Sequence, residues 1–230
     1  MIQKKYLAGL LFLFLIETSI AQRFRAGFTA GLVASDVNGA DTRDNDNDFS
    51  KVGITAGLLV NTQVTEKTIL QLELNYIQKG SLQRPDSLNN GYFKIAFNYV
   101  EFPVLLRRRV KFKIRQKPVN RFDLEAGASV GRMVSYRLIN SQNTILPPAD
   151  NLFNYTDVSL LVGADYNISD NFIFCLRYSN SLIPVIKKNT PNLHFITYTY
   201  NRGNNMVFQF SFKYILKPKA ADTTPKIQDQ

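Results

Sequence analysis

The sequence predicts an all-β fold, an eight-stranded antiparallel up-and-down transmembrane β-barrel, and three observations carry that prediction. Eight segments alternate in character with a period of two rather than 3.6, the periodicity of strands. One face of every segment is apolar and free of charge, while the other gathers charged residues and glycines. The connections alternate as well, long ones on one side and mostly short ones on the other, which is how an outer-membrane barrel is laid out.

The elements follow in order. Residues 1–21 have basic Lys4 and Lys5, an apolar run from Leu7 to Ile16, and small Ser19 and Ala21 ahead of Gln22, the pattern of a secretory signal peptide. That run is short of the roughly 20 residues a membrane-spanning helix needs. The barrel is expected over 22–216. Its first apolar face is Phe24, Ala26, Phe28, Ala30 and Leu32, and its second is Val52, Ile54, Ala56, Leu58 and Val60. The third has Leu70, Leu72, Leu74 and Tyr76, the fourth Val100, Phe102, Val104 and Leu106, and the fifth Phe122, Leu124, Ala126, Ala128 and Val130. Val158, Leu160, Val162, Ala164 and Tyr166 form the sixth, Phe172, Phe174, Leu176 and Tyr178 the seventh, and Met206, Phe208, Phe210, Phe212 and Tyr214 the last. Long connections are expected at 33–51, 80–93, 133–157 and 179–204, short ones at 61–68 and 167–171, and an intermediate one at 108–120. Residues 217–230, KPKAADTTPKIQDQ, lack apolar periodicity and read as a flexible periplasmic tail.

The opposite face carries Arg25, Glu73, Lys79, Glu101, Arg107, Asp123, Glu125, Asp165, Arg177 and Lys213, with acids and bases equal in number. Glycines 27, 31, 53, 57, 127, 131 and 163 share it, giving room where side chains crowd inside a narrow barrel. In hydrocarbon only a closed sheet satisfies every backbone group, so this polar face is expected to line the lumen. With an even strand number both termini then lie in the periplasm and the long loops outside. Tyrosines at strand ends, Tyr76, Tyr166, Tyr178 and Tyr214, fit an aromatic girdle against the lipid.

The competing fold is a secreted lipocalin-like ligand carrier, with the apolar face turned inward. The chain has no tryptophan, so the Gly-x-Trp start of that class is missing. Its only cysteine, Cys175, rules out a disulfide framework. Lys and Arg outnumber Asp and Glu by 28 to 18. In an exported chain that charge points to membrane head groups or a periplasmic or envelope protein rather than to nucleic acid.

Particular motifs then add a family likeness. NYVEFPVLL at 98–106 resembles the Tyr-x-Glu-x-Pro strand of the PorT-like outer-membrane β-barrel family of Bacteroidota. FRAGFTAGL at 24–32, LELNYIQKGS at 72–81 and RYSNSL at 177–182 match further motifs of that family in the same order. The resemblance implies an outer-membrane barrel of eight strands, and a family whose founding member is associated with a secretion system exporting proteases and gliding adhesins. It also implies Pro103 as a family feature. A bulge near that residue is the expected accommodation, since a closed barrel has no free edge.

The candidate site is a lumen polar network of Arg25, Glu73, Glu101, Asp123, Glu125, Asp165, Arg177 and Lys213. Eight strands leave an interior just wide enough for side chains, so a structural salt-bridge network is favoured over a pathway or gate. A second surface is RRRVKFKIRQK, expected as a periplasmic basic ribbon of Arg107, Arg108, Arg109, Lys111, Lys113, Arg115 and Lys117. Val110, Phe112 and Ile114 alternate with those charges and predict an ordered ribbon that holds head groups or an acidic partner. DNDND at 44–48 begins like a calcium loop, but Phe49 replaces the glycine and Thr55 the bidentate glutamate, so a solvated acidic loop is expected and no metal or cofactor. A barrel enzyme acting on lipid or peptide would depend on the sole histidine, His194, in the last outer loop with no serine close by in sequence; no catalytic residue is expected. Cys175 alternates inward as inert packing. The aromatic last strand, VFQFSFKY, suits recognition by barrel-assembly machinery.

Overall fold

The computed structural model describes residues 24–38, 49–83, 92–114, 117–139, 152–187 and 203–216. The expected signal peptide, the acidic DNDND loop, Arg115, His194 and the tail lie outside these residues. The strands are β1 (Phe24–Asn38), β2 (Lys51–Thr65), β3 (Thr68–Gln83), β4 (Phe93–Ile114), β5 (Lys117–Ile139), β6 (Thr156–Asn167), β7 (Phe172–Ser181) and β8 (Asn204–Ile215). Each pairs antiparallel with the next, and β1 pairs with β8, so the eight strands close into one up-and-down barrel.

The alternation read from the sequence sets the two faces. Phe28, Leu58, Phe102, Leu160 and Phe210 are exposed on the outside, whereas Glu73, Asp165, Arg177 and Lys213 are buried within. A soluble carrier needs the reverse, an apolar interior at mid-barrel, and is excluded by this arrangement. Aromatic pairs ring the outer wall near the short-turn end: Phe28 stacks on Tyr214 at 5.2 Å, Phe122 meets Tyr166 at 5.1 Å, and Phe172 stacks on Phe212 at 5.2 Å. Tyr178 against Phe208 at 4.9 Å lies toward the long-loop end. The expected tyrosines thus fall into two belts.

The strands run further than the alternation in the sequence suggested. β4 has 22 residues and β5 has 23, against the roughly 9–11 a tilted strand needs to cross hydrocarbon. Most of the connection expected at 108–120 is therefore ladder, paired out to Ile114 opposite Lys117. The expected long connections shorten too, because β1, β3, β4 and β5 continue into them.

No bulge forms at Pro103. It pairs in register with Ser129 of β5, and on the β3 side the ladder skips from Leu72–Val104 to Asn75–Glu101 without changing register. A proline lacks only the donor, so the two ladder steps beside it lapse and the flanking bonds hold the strand in place.

The β4–β5 ladder shifts register at two other places, Val110/Phe112 and, on the long-loop side of Pro103, Asn98/Tyr99. Asn98 pairs with Ser135 but Tyr99 pairs with Met133, leaving Val134 as the extra residue. Before it, odd-numbered residues of β5 point inward; after it, even-numbered ones do, as a one-residue slip demands. Val134 and Ser135 are both exposed, Leu138 is buried, and Tyr136 packs on the buried core.

That core is an apolar plug at the long-loop end. Val33 and Val37 of β1, Ile77 of β3, Phe97 and Tyr99 of β4, Met133 and Leu138 of β5 and Val207 of β8 close around Phe153 and Ile186. Phe153 and Ile186 come from the segments before β6 and after β7, joined by isolated bridges to each other and to Gly203. Phe153 touches Phe97 at 5.1 Å and Tyr136 at 4.9 Å, both edge-on. The barrel wall there stands beyond the length needed for hydrocarbon, so its interior packs like that of a soluble protein.

Candidate functional site

The lumen below the plug is filled by ion pairs, and the strands deliver them one after another. Arg177 of β7 grips Glu73 of β3 with Nη2–Oε1 at 2.8 Å and Nη1–Oε2 at 2.9 Å, and its Nε donates to Glu125 of β5 at 2.6 Å. Glu125 accepts from Lys213 of β8 at 2.7 Å, and Lys213 also donates to Asp165 of β6 at 2.9 and 3.0 Å. Arg107 of β4 reaches Asp165 at 2.6 Å and Asp123 at 3.0 Å, and Arg109 closes the series on Asp123 at 2.9 Å. Acid and base alternate along this chain, so each charge is flanked by opposite ones and the whole is neutral. Amides meet a remaining lone pair and a remaining donor: Asn75 Nδ2 donates to Glu73 at 2.7 Å, and Gln71 Oε1 accepts from Arg107 at 3.0 Å. A buried charge is tolerated only when paired and hydrogen-bonded in this way.

A second cluster sits nearer the plug. Lys79 is ion-paired with Glu101 and, at 3.0 Å, with Asp157, and its ammonium lies 5.2 Å from the centre of the Tyr99 ring. Asp157 also accepts from Ser181 at 2.6 Å and Asn205 at 3.1 Å. Glu101 therefore answers Lys79 rather than Arg177.

Room for these long side chains comes from β1 and β2, whose inner faces carry Gly27, Gly31, Gly53 and Gly57 and add no charge to the two clusters. A Cβ at Gly57 would stand 2.1 Å from Asn75 Oδ1 and 2.3 Å from the Leu74 carbonyl oxygen. Only a residue without a side chain fits there.

Two predicted residues are placed elsewhere. Arg25 is exposed at the turn-end mouth and takes no part in the buried network, because its position is the last on the inner face before the barrel opens. Arg107, expected both on the inner face and in the ribbon, is buried and belongs to the network, since the alternation of β4 continues inward through it. Of the other ribbon residues, Arg108, Arg109 and Lys111 are exposed, and Lys113 and Lys117 lie in the paired ladder. Sequence reasoning missed Asp157 and Arg109 as network members. Extending the odd-number alternation of β6 back from Ser159, and of β4 on from Arg107, would have found both.

The turn-end mouth is a vestibule of about 540 Å³ lined by Arg25, Arg109, Arg121, Asn167, Asp170 and Asn171, among others. Glu125, Asp165 and Cys175 offer ligand atoms within 4.8 Å of one another, the one such group among the described residues. Lys213 donates to both carboxylates, so an ammonium already supplies the positive charge a metal would bring. Cys175 is fully buried, and its thiol contacts Glu125 at 3.4 Å.

No curated protein matches this chain. It is similar to the solved structure of Ail, the attachment invasion locus protein of Yersinia pestis, in complex with the heparin analogue sucrose octasulfate, at 10% identity over 85% of this chain and 100% of that chain with a TM-score of 0.45. It is also similar to Neisserial surface protein A, at 12% identity over 83% and 96% with a TM-score of 0.41. A third likeness is to the outer membrane protein OprG from Pseudomonas aeruginosa, at 13% identity over 85% and 95% with a TM-score of 0.33. The family model described as outer membrane protein beta-barrel domain matches residues 18–187, nearly three-quarters of the sequence. Seven of the eight strands of this outward-apolar barrel, β1 to β7, fall within that match, and the chain belongs to the outer membrane protein beta-barrel domain family.

Proposed function

We propose that this protein is a non-enzymatic structural or interaction component of the outer membrane, acting through surfaces at its ends and not through a pore. The observation that supports this reading best is the β4–β5 ribbon. It stays paired to Ile114–Lys117, well past the turn between β2 and β3, and exposes Arg108, Arg109 and Lys111. With both chain ends and the short turns in the periplasm, that ribbon is a rigid cationic arm aimed at an acidic patch on a periplasmic or envelope protein. Outer-membrane lipid surrounds the barrel, and barrel-assembly machinery acts on its aromatic last strand during biogenesis. The likeness of NYVEFPVLL to the PorT-like family of Bacteroidota makes a protein-secretion assembly the first place to seek the partner.

The test is a photo-cross-linking residue at Lys111 in cells, with and without the charge reversal R108E. A specific protein adduct that disappears on reversal, while the barrel keeps its heat-dependent gel shift, is the expected result. Absence of any adduct from folded barrels, or an adduct indifferent to the reversal, overturns the reading.

A further inference from the structure

We propose that the outer wall of β4 and β5 near the long-loop end binds the phosphate groups of a phosphorylated glycolipid of the outer leaflet, whose acyl chains lie on the apolar wall beside them. The leaflet named here rests on placing the loop end outside; the contact chemistry does not.

Among the described residues three cations face outward in the loop-side half of the strands, and all three stand on this pair: Lys94 on β4, Arg132 and Arg137 on β5. The bulge at Val134 is what brings them to one face. In the inward frame of Asp123 and Glu125, Arg137 would point into the plug; one extra residue turns it out and sends Tyr136 and Leu138 in. Arg137 then pairs with Ala96 and lies diagonal to Lys94. None of the three has a carboxylate partner among the described residues, and no exposed carboxylate stands on the outward face of any described strand.

The patch is shaped for a lipid rather than for a soluble anion. Arg132 pairs with Val100, and Phe102, Val130 and Val134 around them are exposed. The cations therefore stand where the hydrocarbon-facing wall ends. Arg132 is already held in place: Nη1 donates to Thr156 Oγ1 at 3.0 Å, and the guanidinium lies 5.4 Å from the centre of the Tyr155 ring. Its other N–H donors remain free to fork onto a phosphate. Between Arg132 and Arg137, Asn98 donates to Ser135 Oγ at 2.8 Å, which leaves the Ser135 hydroxyl hydrogen for a phosphate oxygen.

The full barrel, folded in detergent micelles, is titrated with bisphosphorylated lipid A and followed by native mass spectrometry. Dephosphorylated lipid A and inorganic phosphate serve as separate arms. One bound bisphosphorylated molecule per barrel is expected, weakened about tenfold or more in R132Q/R137Q and only partly restored in R132K/R137K, which keeps the charge but not the fork. K94Q/R137Q, with both changes on the surface, repeats the test should the first pair fail to give a heat-dependent gel shift. Equal binding by folded wild type and Gln variants, equal binding of the dephosphorylated lipid, or displacement by inorganic phosphate at matched concentration overturns the proposal. Because micelles carry no orientation and no protein partner, this outcome is independent of the ribbon experiment.

Discussion

Arg177 and Glu73 are 104 residues apart in sequence and meet across the lumen through two parallel N–H···O bonds of 2.8 and 2.9 Å. They stand on β7 and β3, strands that share no ladder, so the pair braces the barrel across its width. Glu125 takes the third bond of the same guanidinium, at 2.6 Å.

Replacing Arg177 with Met leaves Glu73 without its principal cation and strips one from Glu125. The expected cost is roughly 3–5 kcal/mol, the range for orphaning a buried charge. It is read as a lowered midpoint for loss of the heat-dependent gel shift in urea. The double variant E73Q/R177M is expected to cost less than the two single changes summed; strict additivity would show that the pair is not coupled.

Gly57→Val forces a side chain into the Leu74 carbonyl and the Asn75 amide, at positions where even a Cβ stands at 2.3 and 2.1 Å. Overpacking against backbone is expected to cost about 1–3 kcal/mol. Gly203→Ala should cost less, because the atoms it meets belong to the Ile186 side chain, the nearest at 3.0 Å. Reversal of that order in urea unfolding would refute the crowding account of the inner glycines.

Deleting Val134 removes the bulge and shifts the rest of β5 by one residue. Arg137 then faces Phe97 and Phe153, while Tyr136 and Leu138 turn outward. Loss of the folded gel form is expected, or a barrel whose segment after Met133 is open to protease. Substituting Val134 with Thr keeps the register and should leave both readouts unchanged.

Among the described residues the lumen is occupied by the ion-pair chain below and the apolar plug above. Purified barrel in planar bilayers is expected to show no steady conductance. Removing the plug rings in F97A/F153A should not change this, since the chain from Glu73 to Arg109 still fills the bore. A stable open level in the wild type would refute the closed reading.

Much of this was legible in the sequence because a membrane barrel makes one simple demand, an uncharged face every second residue. Strand number, closure and the inward set Glu73, Asp123, Glu125, Asp165, Arg177 and Lys213 all follow from that demand. It stops informing where the strand leaves hydrocarbon. Beyond Val100 and Met133 the inner face turns apolar, the outer face turns polar, and a bulge reverses the count, so Tyr99, Tyr136 and Leu138 gave no signal as core. Asp157 and Arg109 were missed for the related reason that each lies just past the charge-free outward run by which its strand was recognised. Arg25 was placed too deep, and Arg107, read on the inner face, was also counted in the ribbon, because alternation gives a face but not a depth. The pairing itself, Glu101 with Lys79 and not with Arg177, depends on the stagger between strands, which no single strand records.

The alternating chain of acids and bases also bears on how the barrel is made. Its members come from β3 through β8, and the bond between Arg177 and Glu73 joins strands that never touch edge to edge. While the sheet is still open, only the pairs on neighbouring β4 and β5, Arg107 and Arg109 with Asp123, can form, and the rest have no way to neutralise one another. A half-inserted sheet would carry naked charges into lipid, at a cost of several kcal/mol for each unsatisfied group. Insertion and curling therefore have to happen together, and the ionic series acts as a clasp that engages in full only as the sheet curls and brings β3 opposite β7.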